Sequence, residues 1–94
     1  MRKINRASIF KKNYKRVKAS PIHSKDLDTL LVEVLRFLVA DAPLPDNYRD
    51  HALVGDWVNH REWHIKPDLL LLYQLEGVNI LKLVRLGSHS EIFR

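Results

Sequence analysis

Apolar residues recur at helical spacing in the first half of the chain. The clearest period follows the i, i+3, i+4, i+7 rule and predicts a helix that begins directly after Ser24, its N-cap, and runs to about residue 40. A Lys-rich stretch over 11–19 predicts an earlier helix that ends before Pro21. A short strand is expected before that helix, within 4–10. The apolar positions of the main helix are Leu27, Leu30, Leu31, Val34, Leu35 and Leu38.

From residue 52 onward the pattern changes to that of strands. Turn signals at Pro67-Asp68 and Glu76-Gly77 separate the last three segments at hairpin spacing, and the first segment contains Gly55 and is expected to bend. The order β-α-α-β-β-β predicts an α+β fold, an antiparallel meander sheet with two N-terminal helices packed on one face. The strand-like segments are 52–58, 61–66, 69–75 and 78–86.

Length and composition limit the class of protein. Ninety-four residues fit one domain, 1–94, and 46% hydrophobic with 29% charged residues is typical of a soluble globular chain. No apolar run is longer than 69–73, so neither a membrane span nor a signal peptide is predicted. Because the chain has no cysteine, disulfides, thiol nucleophiles and Cys-based zinc sites are excluded. We expect a cytoplasmic protein that does not bind membranes.

The net charge of +5 is unevenly distributed. Residues 1–25 hold nine Lys or Arg and no acid, whereas the rest of the chain holds seven basic and eleven acidic residues, a net −4. Aromatic residues are interleaved with the charges: Phe10 precedes Lys11 and Lys12, and Tyr14 precedes Lys15 and Arg16. Such a mixture favours nucleic-acid backbones, but a solvated helix face has the same composition, so both interpretations stay open.

Histidines stand at the edges of the apolar segments in the second half. Imidazole has an ordinary pKa near neutrality, so it accepts and donates protons in turn and can act on a phosphodiester without a metal. His23, in a loop, and His60, in a turn, are interpreted as surface groups. The candidate set is His51, His64 and His89, with Arg85 and Asp68 nearby.

Hairpin geometry predicts which of these groups meet. If Glu76-Gly77 is a two-residue loop, counting along both strands sets Asp68 opposite Arg85 as a cross-strand pair. His64 shares a strand face with Glu62, opposite that of Trp63. A three-residue turn at 66–68 would bring His64 to the face of Arg85, and a two-residue turn would put it on the other face.

Other chemistries are less well supported. His60 and His64 are four residues apart, a separation of about 13 Å on a strand, so no metal site is predicted. His89 is flanked by Ser88 and Ser90, but no nucleophile elbow surrounds them and no Gly-rich phosphate loop occurs. Both tryptophans are expected in the core.

Several spaced motifs over 44–94 together resemble the YafQ-type toxins of the RelE/ParE superfamily. The first 40 residues agree with that family mainly in basic character and helical pattern. One departure is Leu69, which stands where relatives carry Trp after the Pro-Asp pair. The matching positions are Leu44-Pro45, Tyr48 to Leu53, Gly55 to Trp57, Arg61, His64, Pro67-Asp68, Tyr73, Arg85 to His89 and Phe93.

The resemblance implies a RelE-like fold and an endoribonuclease that cuts mRNA in the ribosomal A site, contacts rRNA and is inhibited by an antitoxin. It assigns the active-site histidines to His51, His64 and His89, the functional aspartate to Asp68, the phosphate-facing arginine to Arg85 and a terminal aromatic to Phe93. The implied reaction needs no cofactor, because the ribose 2′-OH is the nucleophile. Two histidines would act as base and acid, Arg85 would bind the phosphate, and Asp68 would orient an imidazole.

The remaining contacts follow from charge. Lys11, Lys12, Lys15 and Arg16 would hold RNA backbone without reading sequence, and Phe93 would stack on a base. The basic N-terminal segment favours a small acidic antitoxin, through which alone the toxin would reach operator DNA. Two alternatives are a ParE-like gyrase inhibitor and a non-catalytic RNA-binding module.

Overall fold

The computed structural model describes residues 2–40, 51–53 and 55–93. Among these residues the strands form one sheet in the order β1-β5-β4-β3-β2, with β1 parallel to β5 and the other pairs antiparallel. The elements are β1 (Lys3–Arg6), α1 (Ser8–Ala19), α2 (Leu27–Ala40), β2 (His51–Ala52), a 3₁₀ turn (Gly55–Trp57), β3 (Arg61–Lys66), β4 (Leu69–Glu76), β5 (Ile80–Gly87) and α3 (His89–Ile92).

The predicted α+β fold is confirmed: β3, β4 and β5 form the antiparallel meander, and α1 and α2 pack on one face. The short β2 and α3 add to the predicted order. The predicted strand over 52–58 was wrong. Of these residues only Ala52 belongs to β2, and Gly55, at φ 70°, starts the 3₁₀ turn instead. The helix α2 begins at Leu27, two residues later than Ser24 as N-cap had predicted.

The core lies between the helices and one face of the sheet, which we call the helix face. Its row Trp63, Leu71 and Leu86 runs across β3, β4 and β5 through direct register pairs, and all three side chains are fully buried. Phe10 and Val17 of α1 meet this face together with the apolar stripe of α2. The stripe of α2 contributes Leu27, Leu31, Val34 and Leu38.

The predicted Asp68–Arg85 pair is wrong, because the β4–β5 hairpin has a different register. Glu76 pairs with Ile80, so the loop has three residues rather than two, and a bulge follows between Leu72 and Tyr73. Arg85 therefore lies opposite Leu72. Asp68 lies four residues before Leu72 in the chain, a separation of about 13 Å along a strand.

The β3–β4 hairpin brings His64 to the face of Arg85 in a way that neither predicted turn described. Its turn has two residues, since Lys66 pairs with Leu69, but a bulge at Ile65 sets His64 opposite Leu70. Leu70 in turn pairs with Gly87, two residues from Arg85 on the same face. The bulge thus places His64 on the face of Arg85, as the three-residue turn was expected to do.

Candidate active site

The sheet face away from the helices carries the polar groups, and we call it the open face. One row crosses four strands through successive register pairs, from Arg85 on β5 through Leu72 on β4 and Glu62 on β3 to His51 on β2. Because directly paired residues point to the same face, Arg85, Leu72 and Glu62 share the open face, and two strand spacings place the Cα atoms of Arg85 and Glu62 about 10 Å apart. For His51 the structure describes the backbone alone.

Between the polar groups the floor of the open face is apolar. Leu70 and Leu72 are buried, although neither belongs to the cluster under the helices. They separate Arg85 on one side from the Glu62 and His64 pair on the other. An apolar floor limits hydration and so strengthens electrostatic interactions at the site.

Glu62 and His64 are in direct contact at this face. Nε2 of His64 lies 2.5 Å from Oε1 of Glu62, and their side chains are 16% and 5% exposed for His64 and Glu62, respectively. A buried carboxylate is stable only when it is paired and hydrogen-bonded, so this contact fixes the imidazole of His64 in one orientation. The pair can hold and transfer a proton at the edge of the open face.

Arg85 lies against the ring of Trp57. Its Nη1 donates to the carbonyl of Val84 at 2.9 Å, and its Cζ lies 5.4 Å from the centre of the Trp57 ring. Trp57 also meets Phe93 edge-to-face at 6.1 Å and His60 at 5.4 Å. The guanidinium is thus held against the Trp57 ring, where a phosphate oxygen can approach it.

His89 begins α3, directly beyond the end of β5. Ser88 caps this single turn and forms a capping box with Glu91. The exposed His89 ring lies 4.9 Å from Phe93, which is itself in contact with Trp57. A chain of rings therefore connects His89 to the side chain of Arg85.

Asp68 is the predicted site residue that the structure places apart from this group. It is exposed in the β3–β4 turn and lines a cavity of about 210 Å³ together with Ser88, Glu91 and, from the helix side, Val17 and His23. Orientation of an imidazole by Asp68 has no support from these contacts. In the described part of the chain, Glu62 is the carboxylate in contact with a candidate imidazole, that of His64.

The predicted RNA-binding lysines lie on the other side of the molecule. Lys11, Lys12 and Lys15 are exposed on α1, which covers the helix face. Arg16 has a structural contact instead: its Nη2 donates to the carbonyl of Leu86 at 3.0 Å, and its Nε lies 3.3 Å from Glu91. Arg16 therefore ties α1 to the last residues of β5 and to α3.

The side chains whose pKa values are shifted also lie on the helix side of the molecule. Hydrogen bonds from Lys18 and then Tyr14 hold the pKa of Asp28 below its ordinary value. Lys66 lowers the pKa of Asp26 in the same way, through a contact at 2.8 Å. Both aspartates are thus ionised anchors between elements.

Sequence reasoning missed Glu62 and Trp57. The strand period had set Glu62 on the face of His64, but it could not show that the carboxylate is buried. Trp57 was expected in the core, where Trp63 does lie; instead it is partly exposed in the 3₁₀ turn. His60, interpreted as a surface group, also touches this ring.

The described part of the chain contains neither a metal-binding cluster nor a membrane-spanning helix. Within 2–40, 51–53 and 55–93, no three His, Cys, Asp or Glu side chains are grouped closely enough to hold a metal ion. None of the helices in these ranges is long and apolar enough to cross a bilayer.

The sequence and the fold match a class of bacterial toxin. A family model described as bacterial toxin of type II toxin-antitoxin system, YafQ, matches residues 2–94. The chain belongs to the YafQ family of these toxins.

Relatives of known name agree with this assignment. A Haemophilus influenzae protein that carries the name putative toxin YafQ is 43% identical over 63 residues, which cover 64% of this chain and 62% of that protein. The mRNA interferase toxin YafQ of Escherichia coli K12 is 34% identical over 79 residues, 84% of this chain and 85% of that protein. The match thus spans less than two thirds of the first relative and most of the second.

Solved structures share the fold over nearly the whole chain. YafQ in the E. coli DinJ-YafQ toxin-antitoxin complex has a TM-score of 0.83 at 31% identity, covering 99% of this chain and 98% of that one. A copper-bound mutant toxin from Helicobacter pylori has a TM-score of 0.85 at 39% identity, covering 99% and 100%. The family therefore includes mRNA interferases, which are endoribonucleases, and toxins that bind an antitoxin.

Proposed function

We propose that this toxin is an endoribonuclease that cuts mRNA on the ribosome, with its active site on the open face. The observation that carries the proposal is the common face shared by Arg85 and the Glu62–His64 pair, with His89 connected to Arg85 through aromatic contacts. The name of the E. coli relatives, mRNA interferase, supports the substrate class.

The reaction is a transfer within the RNA strand. The Glu62–His64 pair takes the proton of a ribose 2′-OH, whose oxygen attacks the adjacent phosphorus. A bond from phosphorus to the 2′-oxygen forms, and the bond to the 5′-oxygen breaks. His89 gives a proton to the departing 5′-oxygen, and Arg85 stabilises the negative charge that builds on the phosphorane. His51, opposite Glu62 in the register, is the alternative base.

Single-turnover cleavage of mRNA on programmed ribosomes tests this proposal. His89→Ala should reduce the rate by about 10²- to 10⁴-fold, the usual effect of a general acid. His23→Ala, a matched histidine change near the Asp68 cavity, should leave the rate within about 2-fold. Wild-type protein that binds ribosomes without cutting would support the RNA-binding module, and inhibition of DNA supercoiling would support a gyrase inhibitor.

The proposed chemistry uses no metal, since the 2′-OH is already beside the phosphorus. A mutant toxin of the same fold has been solved with copper bound, so a chelation test is informative. Dialysis of this toxin against a chelator selective for transition metals should leave the cleavage rate unchanged when Mg²⁺ is kept for the ribosome. A rate that falls on dialysis and returns with added Cu²⁺ would contradict this point.

We also propose that an acidic, amphipathic segment of the cognate antitoxin binds a groove between β1, α1 and α2. The groove has a volume of about 790 Å³ and a mostly apolar lining, with Arg6, Lys11 and Lys15 at its rim. Its carboxylate, Asp28, is already bound by Tyr14 and Lys18. The lining includes Ile4, Phe10, Leu31, Val32, Leu35 and Leu83.

The complementary charges give a direct test. Charge reversal at Lys11 and Lys15 should weaken antitoxin binding by about 10-fold or more, because close charge pairs at interfaces are each worth at least a kcal/mol. Lys82→Glu, on β5, is the control for net charge and should have little effect. Antitoxin affinity that is equal in all three proteins would contradict antitoxin binding at the groove.

A toxin that works on ribosomes acts in the cytoplasm, and it reaches operator DNA through the antitoxin alone.

A further inference from the structure

Trp57 occupies an unusual place for a tryptophan in a small domain. It lies in the 3₁₀ turn, none of whose residues is buried, and it is outside the core cluster that contains Trp63. Its ring nevertheless contacts three side chains from separate segments: Arg85 on β5, Phe93 after α3, and His60 before β3. Trp57 is therefore the common neighbour of the C-terminal turn and the arginine of the proposed site.

Trp57 makes a cation–π contact with Arg85 and an aromatic contact with Phe93, and the two contacts have different consequences. The face of the indole receives the guanidinium of Arg85, whose Cζ lies 5.4 Å from the ring centre, an attraction that narrows the positions open to a long side chain. Phe93 and Trp57 meet at an interplanar angle of 89°, and Phe93 contacts His89 from the same short turn. The Trp57 ring thus contacts Arg85 directly and the turn of His89 through Phe93.

We infer that Trp57 is a positioning residue of the nuclease reaction: it holds Arg85 where the scissile phosphate must lie and keeps the His89 turn beside it. This inference rests on the proposed function, since it assigns a role within that site. It predicts that loss of the ring impairs the chemical step more than RNA binding, because the guanidinium acts on charge that develops in the transition state.

A double-mutant cycle with Arg85 separates this role from others. At saturating toxin, Trp57→Leu should lower the single-turnover rate by about 10- to 30-fold, the range of a partly desolvated cation–π contact. Trp57→Phe keeps an aromatic face and should lose only about 3-fold. In an Arg85→Ala protein, Trp57→Leu should cost less than about 2-fold more. Val58→Ala, an exposed neighbour, should cut at the wild-type rate.

Binding is measured in parallel with an mRNA that carries a 2′-deoxyribose at the scissile position and cannot be cut. Its affinity for ribosome-bound toxin should be unchanged in Trp57→Leu. Weaker binding with an unchanged rate would show that Trp57 stacks on RNA and would overturn the inference. A full additional loss in the Arg85→Ala background would overturn it as well, because Trp57 would then act independently of the guanidinium.

An NMR measurement on the isolated toxin needs no activity. The δ protons of Arg85 should show an upfield ring-current shift in wild type, keep most of it in Trp57→Phe and lose it in Trp57→Leu. The same shift in all three proteins would contradict the contact. If wild type fails to cut RNA, the proposed function fails, while this shift still decides whether Trp57 holds Arg85.

Discussion

The two faces of the central sheet are built by alternate residues of the same strands, yet they differ in almost every property. On the helix face Trp63, Leu71 and Leu86 form a dry apolar row under two helices. On the open face the neighbouring row holds Glu62, Leu72 and Arg85. Burial on the helix face stabilises the fold, so the open face can hold the Glu62–His64 pair, whose polar groups are costly to desolvate.

Positive charge follows the same division. The lysines of α1 belong to the helix side, whereas the candidate acid-base groups belong to the open face. The two sides meet at the end of β5, where Arg16 reaches from α1 to Leu86 and Glu91. Binding of a polyanion or an acidic partner can therefore be altered without changing the proposed chemistry, and the reverse also holds.

Adjacent leucines on β4 provide the strongest test of the division. Leu71→Ala and Leu72→Ala each remove a fully buried side chain, and each should lower the free energy of unfolding by about 2–5 kcal/mol. Below the unfolding transition, only Leu72→Ala should slow RNA cleavage, because only that side chain forms the floor between Glu62 and Arg85. Urea denaturation and single-turnover cleavage measure the two effects. An equal loss of cleavage rate in both folded variants would contradict the division of the sheet into a stabilising face and a catalytic face.

Arg85→Lys tests the open face by chemistry alone. An ammonium cannot present two parallel donors to phosphate oxygens, so cleavage should fall by about 10- to 100-fold, or about 1.4–2.8 kcal/mol in the barrier. Stability should change little, since the guanidinium is only partly buried. Lys82→Arg, on the same strand, is the control. A lysine variant that cuts at the wild-type rate would remove Arg85 from the mechanism.

Arg16→Met tests the place where the two sides meet. The change should cost about 1 kcal/mol of stability, because the contacts are half-exposed, and should reduce cleavage several-fold by loosening α3. Lys12→Met, exposed on the same helix, should affect neither property of the isolated toxin but should reduce the salt dependence of ribosome binding. If both variants behave alike, Arg16 contacts RNA rather than α3.

The smallest effect concerns pH and lies on the helix side. The folded pKa of Asp28 is lowered, chiefly by Lys18, so its contribution to stability is present above the unfolded pKa of about 4 and is lost as pH falls through the lowered value. Asp28→Asn should therefore lower the unfolding midpoint slightly at pH 6 and not at pH 2. The RNA cleavage rate at pH 7 should stay unchanged. A larger difference at pH 2 than at pH 6 would reverse the assigned sign.

The sequence predicted the elements better than their register. Helical period identified α2, and strand period separated Glu62 and His64 from Trp63. The two bulges, at Ile65 and between Leu72 and Tyr73, leave no composition signal. They decided that His64 and Arg85 share the open face, whereas the three-residue loop after Glu76 had already moved Asp68 out of register with Arg85. The roles of Glu62 and Trp57 depend on burial and on contacts from distant segments, which no local pattern contains.

The central claim is that the nuclease chemistry belongs to the open face and uses the Glu62–His64 pair. Single-turnover cleavage on programmed ribosomes by Glu62→Gln, compared with Glu76→Gln at the exposed end of β4, tests it most directly. We expect Glu62→Gln to remain folded and to cut about 10²-fold more slowly or worse, with Glu76→Gln near the wild-type rate. A folded Glu62→Gln toxin that cuts as fast as wild type would contradict the claim.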